Sequence, residues 1–234
     1  MEAKHFVAID FDGTVTNVDL VDSILETFAR PEWREVEKLW EKGLIGSRQC
    51  LETQMSMVDC SLDKLLAYVD NFSIDKTFLD FTVFLHDHHI PYAILSDGFQ
   101  VFIERLLSNA GLKGVPVYAN ILTDHNGKLK TLFPHSRQDC DAAHCKCMVA
   151  DRLGNGLPTI VIGDGRSDYC LANKSRYVFT KSKLTEYCTT NGIPHTPFDD
   201  FISIAQRLTM LEGPVLQPWK ERILNVDKAI SPTF

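Results

Sequence analysis

Residues 6–16 read Phe6-Val-Ala-Ile-Asp10-Phe-Asp12-Gly-Thr14-Val-Thr16. The apolar start of this stretch predicts a buried strand over residues 4–10, which then leads into two aspartates. In open α/β sheets, ligands bind at the carboxyl ends of the strands. There, Asp10 could attack phosphorus as a nucleophile, and Asp12 could move the proton of the leaving group. Their carboxylates are also ligands that suit Mg²⁺. For this motif alone, an acidic turn after a strand stays the alternative.

Length and charge exclude several classes of protein. The chain has 234 residues, a formal net charge of -7 and a pI of about 5.6, which argues against a general nucleic-acid-binding protein. No apolar run approaches the ~20 residues of a membrane span, and we expect no membrane partner and no signal peptide. Seven cysteines, an odd number, favour a reducing compartment over a disulfide framework, so the sequence predicts a cytoplasmic protein.

The order of the predicted elements indicates an α/β fold with a Rossmann-like parallel sheet covered on both faces. Residues 17–72, the helical insert, show four helical patterns and no strand, which is far more than a crossover between two strands needs. We therefore predict that the helical insert is a small all-helical cap domain after the first strand, and that residues 1–16 and 73–234 form the core. In the core we expect, among other elements, a helix over 99–110, a strand over 115–119, a separate hairpin over 121–133 and a helix over 141–153.

Two further strand ends carry polar residues. Tyr92–Leu95 leads into Ser96-Asp97-Gly98, where a hydroxyl and backbone amides could bind phosphate, although an ordinary helix cap by Ser96 or Asp97 is an equal alternative. Pro158–Ile162 leads into Gly163-Asp-Gly-Arg-Ser-Asp168, where Asp164 and Asp168 could share one cation. An acidic site that binds a phosphate dianion also needs a lysine, and Lys146 has the right order along the chain. Lys128 and Lys130 are competitors, but their spacing in the hairpin favours a position outside the site.

Together, Asp10-x-Asp12-Gly-Thr, Ser96, Lys146 and Gly163-Asp-Gly-x-Ser-Asp168 resemble the four motifs of the haloacid dehalogenase superfamily of phosphohydrolases. The helical insert resembles the cap of its phosphoserine phosphatase-like branch. Three stretches are similar to the methionine-salvage enol-phosphate phosphatases of that branch; they are Pro31-Glu-Trp33, Pro134-His-Ser136 with the cysteine-containing run up to Lys146, and the segment from Phe179 to Phe201.

The resemblance implies a Mg²⁺-dependent phosphatase that hydrolyses the phosphate ester of a small metabolite through an aspartyl-phosphate intermediate. Asp10 would be the nucleophile and Asp12 the acid and base. Asp10, the backbone carbonyl of Asp12 and Asp164 would bind Mg²⁺, with Asp168 in support. The phosphoryl group would be bound by the residues Thr14, Ser96, Asp97, Gly98 and Lys146. In the cap, Asp19 and Asp22 would contribute to substrate selectivity.

Several alternatives stay open at this point. The substrate could be the methionine-salvage enol-phosphate, phosphoserine or another small phosphorylated metabolite. A non-catalytic binding protein of the same fold, or phosphoryl transfer to an acceptor other than water, are different classes of function. A zinc site at Cys140, His144, Cys145 and Cys147 is an alternative to reduced thiols. The segment from Gly213 could dock on the core or form a homodimer contact.

Overall fold

The structure of the protein is a computed structural model that describes residues 3–212. In this part of the chain, a seven-stranded sheet has the order β4-β3-β2-β1-β5-β6-β7. Neighbouring strands are parallel, except that β3 and β4 form an antiparallel hairpin. The central β1 therefore ends at the same edge as β2 and β5. The strands are β1 (Phe6–Ile9), β2 (Tyr92–Phe99), β3 (Val117–His125), β4 (Lys128–Leu132), β5 (Thr159–Gly163), β6 (Tyr177–Thr180) and β7 (Thr196–Pro197).

Hydrophobic clusters cover both faces of the sheet. Val7 and Ile9 of β1 belong to one cluster, whereas Phe6 and Ala8 belong to the other, as the alternation of side chains along a strand requires. The first cluster includes helices α5 (Thr77–Asp87), α6 (Gln100–Asn109) and α10 (Phe201–Glu212). The second includes α7 (Lys146–Gly154), α8 (Tyr169–Ala172) and α9 (Ser182–Thr190). The predicted α/β fold with a covered parallel sheet is confirmed.

The helical insert contains α1 (Leu20–Phe28), α2 (Trp33–Glu41), α3 (Ser47–Met55) and α4 (Leu62–Val69). Its two ends meet, because an antiparallel bridge joins Thr16 to Ile74 and the amide of Asp75 donates to the carbonyl of Val15 at 2.8 Å. The buried apolar side chains of the insert are continuous with the first cluster of the core. The insert therefore packs tightly against the core, and its role as a cap domain stays a prediction.

Three boundaries differ from the sequence predictions. The strand over 115–119 and the first arm of the hairpin are one strand, β3, which pairs with β2 at its start and with β4 at its end. Helix α6 begins at Gln100 after Phe99, so neither Ser96 nor Asp97 is its cap. Helix α7 begins at Lys146 rather than at residue 141, because the preceding residues bond to distant parts of the chain.

The segment from Gly213 onward, for which we predicted docking or a dimer contact, lies outside the described residues. Among residues 3–212, no helix combines the length and the apolar character needed to cross a lipid bilayer.

Candidate active site

The loop after β1 holds the first two aspartates at the centre of the sheet edge. The amide of Asp10 donates to the carbonyl of Ile162 at 2.8 Å, which continues the pairing with β5 and fixes the Asp10 backbone. The Asp12 carboxylate turns toward the helical insert, where its Oδ1 accepts from the amide of Leu20 at 3.0 Å. Gly13 lies between these elements and the Asp164 carboxylate, with a φ of +72°. The loop therefore links the two aspartates at the end of β1 to the start of α1.

Lys146, the first residue of α7, lies behind Asp10. Its Nζ is 2.7 Å from Asp10 Oδ1 and 2.6 Å from Asp168 Oδ1, and it donates to Ser167 Oγ at 2.9 Å. Burial by itself would lower the pKa of Lys146, but the two carboxylates outweigh burial and raise this pKa above its ordinary value. The ammonium is thus charged and held in place where it could neutralise a group bonded to Asp10.

Three carboxylates converge beside this lysine. One oxygen from each of Asp10, Asp164 and Asp168 lies within 4.8 Å of the other two, and no other such trio of His, Cys, Asp or Glu occurs in residues 3–212. Burial and repulsion by Asp168 raise the pKa of Asp10 well above its usual value. The same causes raise the pKa of Asp164 to about 6. Hard oxygen donors that repel one another fit a divalent cation such as Mg²⁺, which would relieve the repulsion.

The end of β2 faces the same point. Ser96 is buried, and its Oγ accepts from the amide of Gly98 at 2.9 Å. A Cβ at Gly98 would lie 2.7 Å from Asp12 Oδ2, so any larger residue here would displace the Asp12 carboxylate. The Asp97 side chain points elsewhere, because its Oδ1 accepts from the amide of His144 at 2.7 Å. Asp97 therefore positions the segment that leads to Lys146.

A cavity of about 460 Å³ lies between the core and the helical insert. On the core side it is lined by Asp10, Asp12 and Asp164, and by the strand end from Ser96 to Gly98. On the insert side it is lined by Asp19, Asp22 and Glu37, which we call the acidic wall, together with apolar and aromatic side chains. The volume suits a small molecule that has one end at Asp10 and the other at the acidic wall.

A family model described as haloacid dehalogenase-like hydrolase matches residues 7–173. The chain belongs to the haloacid dehalogenase-like hydrolase family. Within this family, a 2-hydroxy-3-keto-5-methylthiopentenyl-1-phosphate phosphatase of Microcystis aeruginosa is 30% identical over 214 residues, which cover 88% of this chain and 99% of the relative. A phosphatase of the same name from Bacillus cereus is 29% identical over 212 residues, covering 88% of this chain and 96% of the relative.

Solved structures agree with the fold. A substrate-bound phosphoserine phosphatase superposes with a TM-score of 0.65 at 17% identity, over 88% of this chain and 99% of the other. A phospho-aspartyl intermediate analogue of phosphoserine phosphatase gives a TM-score of 0.67 at 16% identity, with the same coverage. The family resemblance predicted from the sequence is confirmed. This haloacid dehalogenase-like protein is therefore an enzyme of a hydrolase family, and the relatives named above are phosphatases.

In this haloacid dehalogenase-like hydrolase, the structure does not bring Thr14, a predicted phosphate-binding residue, to the cavity. The residue is fully buried and does not line the cavity, and its amide donates to the carbonyl of Phe11 at 3.2 Å. Gly13 lines the cavity in its place. The other predicted core residues lie in the cavity wall or, for Lys146 and Asp168, directly behind it.

The sequence predicts Asp19 and Asp22 as site residues but does not predict the other residues of the insert that line the cavity. Glu37, Trp40 and Gln54 also line the cavity, and Gln54 Nε2 donates to Glu37 Oε2 at 2.7 Å. Glu37 and Trp40 are three residues apart on α2 and so share a face of the helix, which is the one signal that pairs them.

The cysteine cluster has no zinc geometry in the described residues. Cys140, His144, Cys145 and Cys147 do not bring three donor atoms together within 4.8 Å. Both ring nitrogens of His144 are buried without a partner in the structure. Cys147 Sγ instead lies 3.3 Å from Cys170 Sγ. The arrangement corresponds to the alternative of reduced thiols.

Proposed function

We propose that the protein is a Mg²⁺-dependent phosphomonoesterase that hydrolyses the phosphate of a small metabolite through an aspartyl-phosphate intermediate. The observation that carries this proposal is the position of Asp10. Its carboxylate is buried at the end of the central strand, paired with Lys146 and adjacent to two further carboxylates. A carboxylate fixed in this way can attack a phosphoryl group whose charge is neutralised on the opposite side.

Each neighbouring group has a role that its position supports. The Asp12 carboxylate faces the cavity, where it protonates the leaving oxygen and then takes a proton from the attacking water. The Ser96 hydroxyl, whose oxygen accepts from the Gly98 amide, would bind a phosphoryl oxygen, and Lys146 behind Asp10 would balance the phosphoryl charge. Asp10 and Asp164, with the backbone carbonyl of Asp12 and with Asp168 in support, would hold Mg²⁺, which supplies positive charge for the phosphoryl oxygens when bound.

We further propose that the helical insert acts as the cap of the active site and that Asp19 and Asp22 contribute to selectivity. The cavity lies between the insert and the core, so the insert would cover one side of a substrate bound there. The relatives at 29–30% identity are named for an enol-phosphate, which supports a small phosphorylated metabolite as the substrate class and makes that enol-phosphate the first compound to test.

The test is phosphate release from a panel of monoesters with and without Mg²⁺, by the parent and by Asp10→Asn. The panel includes the enol-phosphate, phosphoserine and p-nitrophenyl phosphate. We expect Mg²⁺-dependent release by the parent and a loss of at least about 10³-fold in Asp10→Asn, because an amide is not a nucleophile.

The thermal unfolding midpoint and the circular dichroism spectrum of the variant provide the control for folding. Release by a folded Asp10→Asn variant at the parent's rate would contradict the proposed nucleophile. The absence of release from every ester by the folded parent would favour the non-catalytic alternative.

A further inference from the structure

Two thiols lie against each other directly behind the candidate active site. Cys147, in the first turn of α7, is buried, whereas Cys170, on α8, is exposed to solvent. The Cys147 thiol donates to the sulfur of Cys170, and the two sulfurs are 3.3 Å apart. All seven cysteines of the chain are free thiols. Because a disulfide bond is about 2.05 Å long, these two sulfurs need to approach by only roughly an ångström to form one.

The two thiols belong to the segments that carry the buried ion pair of the site. Cys147 directly follows Lys146, and Cys170 comes two residues after Asp168. The Nζ of Lys146 is 2.6 Å from Asp168 Oδ1 and 2.7 Å from Asp10 Oδ1. The ion pair and the thiol contact therefore join the same two segments, the start of α7 and the start of α8. A covalent bond between the sulfurs would act on the junction that positions Lys146.

The two thiols differ in their access to a dissolved oxidant. Cys170 is exposed and can be reached from solvent. Burial raises the pKa of the Cys147 thiol to about 12, although the nearby charge of Lys174 opposes this effect. Cys147 is therefore a poor first nucleophile, but it is already in contact with Cys170 and can react within the protein. The order of events follows, with Cys170 first and Cys147 second.

A neighbouring pair of thiols provides a comparison. A hydrogen bond links the side chains of Cys140 and Cys145, which are half-buried and buried, respectively. A bond between these two would close a short loop before α7 and would not join two helices. In residues 3–212, no three of the cysteine sulfurs lie within 4.8 Å of one another, so the thiols are arranged as pairs rather than as a metal site.

We propose that Cys147 and Cys170 form a reversible redox site, in which a low-molecular-weight disulfide converts the two thiols into a disulfide bond that lowers the catalytic rate. The Cys170 sulfur attacks one sulfur of the oxidant, and the other half leaves as a thiol with the proton of Cys170. The Cys147 sulfur then displaces the half bound to Cys170, which leaves as a thiol with the proton of Cys147. Two protein thiols are oxidised, and one small disulfide is reduced to two thiols.

The effect on the rate rests on the proposed phosphatase function, whereas the formation of the bond does not. Lys146 Nζ is held by Asp10, Asp168 and Ser167 at 2.6 to 2.9 Å. A shift of the first turn of α7 by about an ångström would disturb these distances, and a misplacement of that size can cost about 10²-fold in rate. We therefore expect turnover at saturating substrate to fall at least about tenfold when the bond forms.

The test equilibrates the reduced full-length protein with mixtures of glutathione and glutathione disulfide of increasing oxidising strength. After the free thiols are alkylated, peptide mass spectrometry identifies the bonded cysteines. Turnover of p-nitrophenyl phosphate with Mg²⁺ is measured on the same samples. We expect a peptide pair linked through Cys147 and Cys170, a parallel fall in turnover, and recovery of both the thiols and the turnover with dithiothreitol.

Two serine variants connect the loss of turnover to this pair. Cys170→Ser removes the exposed sulfur without touching a residue of the site, so it should have parental turnover when reduced and keep it under oxidising conditions. Cys60→Ser removes a half-buried thiol between α3 and α4 of the insert, and it should form the bond and lose turnover as the parent does.

Several results would overturn the inference. These are free Cys147 and Cys170 at every mixture, a stable glutathione adduct on Cys170, a bond between Cys140 and Cys145 instead, and bound zinc that protects the thiols from alkylation. Formation of the bond without a change in turnover would overturn the effect on the rate. If the folded, reduced parent hydrolyses no ester, the proposed function fails, while the peptide map still reports on the thiol pair.

Discussion

Asp12 has surroundings that suit an acid rather than a second nucleophile. Burial raises its pKa well above the usual value, and the nearby charge of Asp19 raises this pKa further. The Leu20 amide fixes one carboxylate oxygen, so the other oxygen is available on the cavity side. Two aspartates that are two residues apart thus differ in environment, since Asp10 is paired with a lysine and Asp12 is not.

This difference predicts the behaviour of Asp12→Asn with p-nitrophenyl phosphate, whose leaving group departs without a proton. Transfer to Asp10 should still occur, but the asparagine cannot activate water. We expect a burst of about one equivalent of nitrophenolate per enzyme, followed by slow turnover, in stopped-flow absorbance. The asparagine keeps the bond to Leu20, so folding is preserved. A time course that is linear from the first turnover would contradict the assignment.

Gly13 gives a second prediction, because two constraints coincide there. Its φ of +72° disfavours any side chain, and a methyl group would collide with the Asp164 carboxylate. Gly127 in the β3–β4 turn has a similar φ of +77° but open space around it, so Gly127→Ala is a matched control for strain alone.

We expect Gly127→Ala to lower the free energy of unfolding by about 1–2 kcal/mol with little effect on turnover. Gly13→Ala should cause the same backbone strain and also displace the Asp164 carboxylate. The variant should therefore need a higher Mg²⁺ concentration for half-maximal activity. The measurements are denaturant unfolding and Mg²⁺ titration of turnover. Identical Mg²⁺ requirements in both variants would show that Asp164 does not depend on the glycine.

At the level of secondary-structure elements, an ion pair between side chains joins the end of α4 in the insert to α6 of the core. The Nε and Nη2 of Arg105 each donate to Asp70 at 2.7 Å, and Asn109 Nδ2 donates to the same carboxylate at 2.7 Å. These hydrogen bonds lower the pKa of Asp70 to about 2 from its usual 3.8. Because Asp70 and Arg105 are largely exposed, their ion pair contributes little to the free energy of unfolding. Its main effect is to fix the relative position of the two helices.

The pH dependence of this contact has a definite sign. Because the folded pKa lies below the unfolded one, the stabilisation is fully present above pH 3.8 and disappears as the pH falls through about 2. Asp70→Asn should therefore be less stable than the parent at pH 7, and the difference should shrink between pH 3.8 and 2. Denaturant unfolding across this range checks the prediction, with Asp59→Asn as an exposed control. A constant difference would contradict it.

At the scale of the whole molecule, the sequence predicts the local elements better than the contacts between them. The strand before Asp10 and the four helices of the insert follow from short patterns, and all of them occur. By contrast, β3 continues through Asn120, whose side-chain Nδ2 donates to the backbone carbonyl of Asp97 at 2.6 Å. From the sequence alone, a polar residue at position 120 indicates the end of a strand, because its hydrogen bond to Asp97 cannot be seen.

The late start of α7 has the same kind of cause. The amide of Ala143 donates to the Ser47 hydroxyl at 2.8 Å, so a residue of the insert interrupts a stretch whose composition predicts a helix. The acidic wall was likewise only half predicted, because Glu37 reaches the cavity through the packing of α2 and α3. Motifs adjacent to strand ends can be found in a sequence, whereas a wall built from several helices needs their arrangement.

The bridge between Thr16 and Ile74 has a consequence for how such enzymes diversify. Since the insert leaves the core and returns to it at this one bridge, outside the strands of the sheet, the residues in between could lengthen or shorten without a change in the strand register. If the insert selects the substrate, as we propose, mutations that change which molecule is accepted are separated along the chain from those at the strand ends that would disturb the reaction. An ancestral gene could acquire a new substrate by changes in one contiguous stretch of its coding sequence.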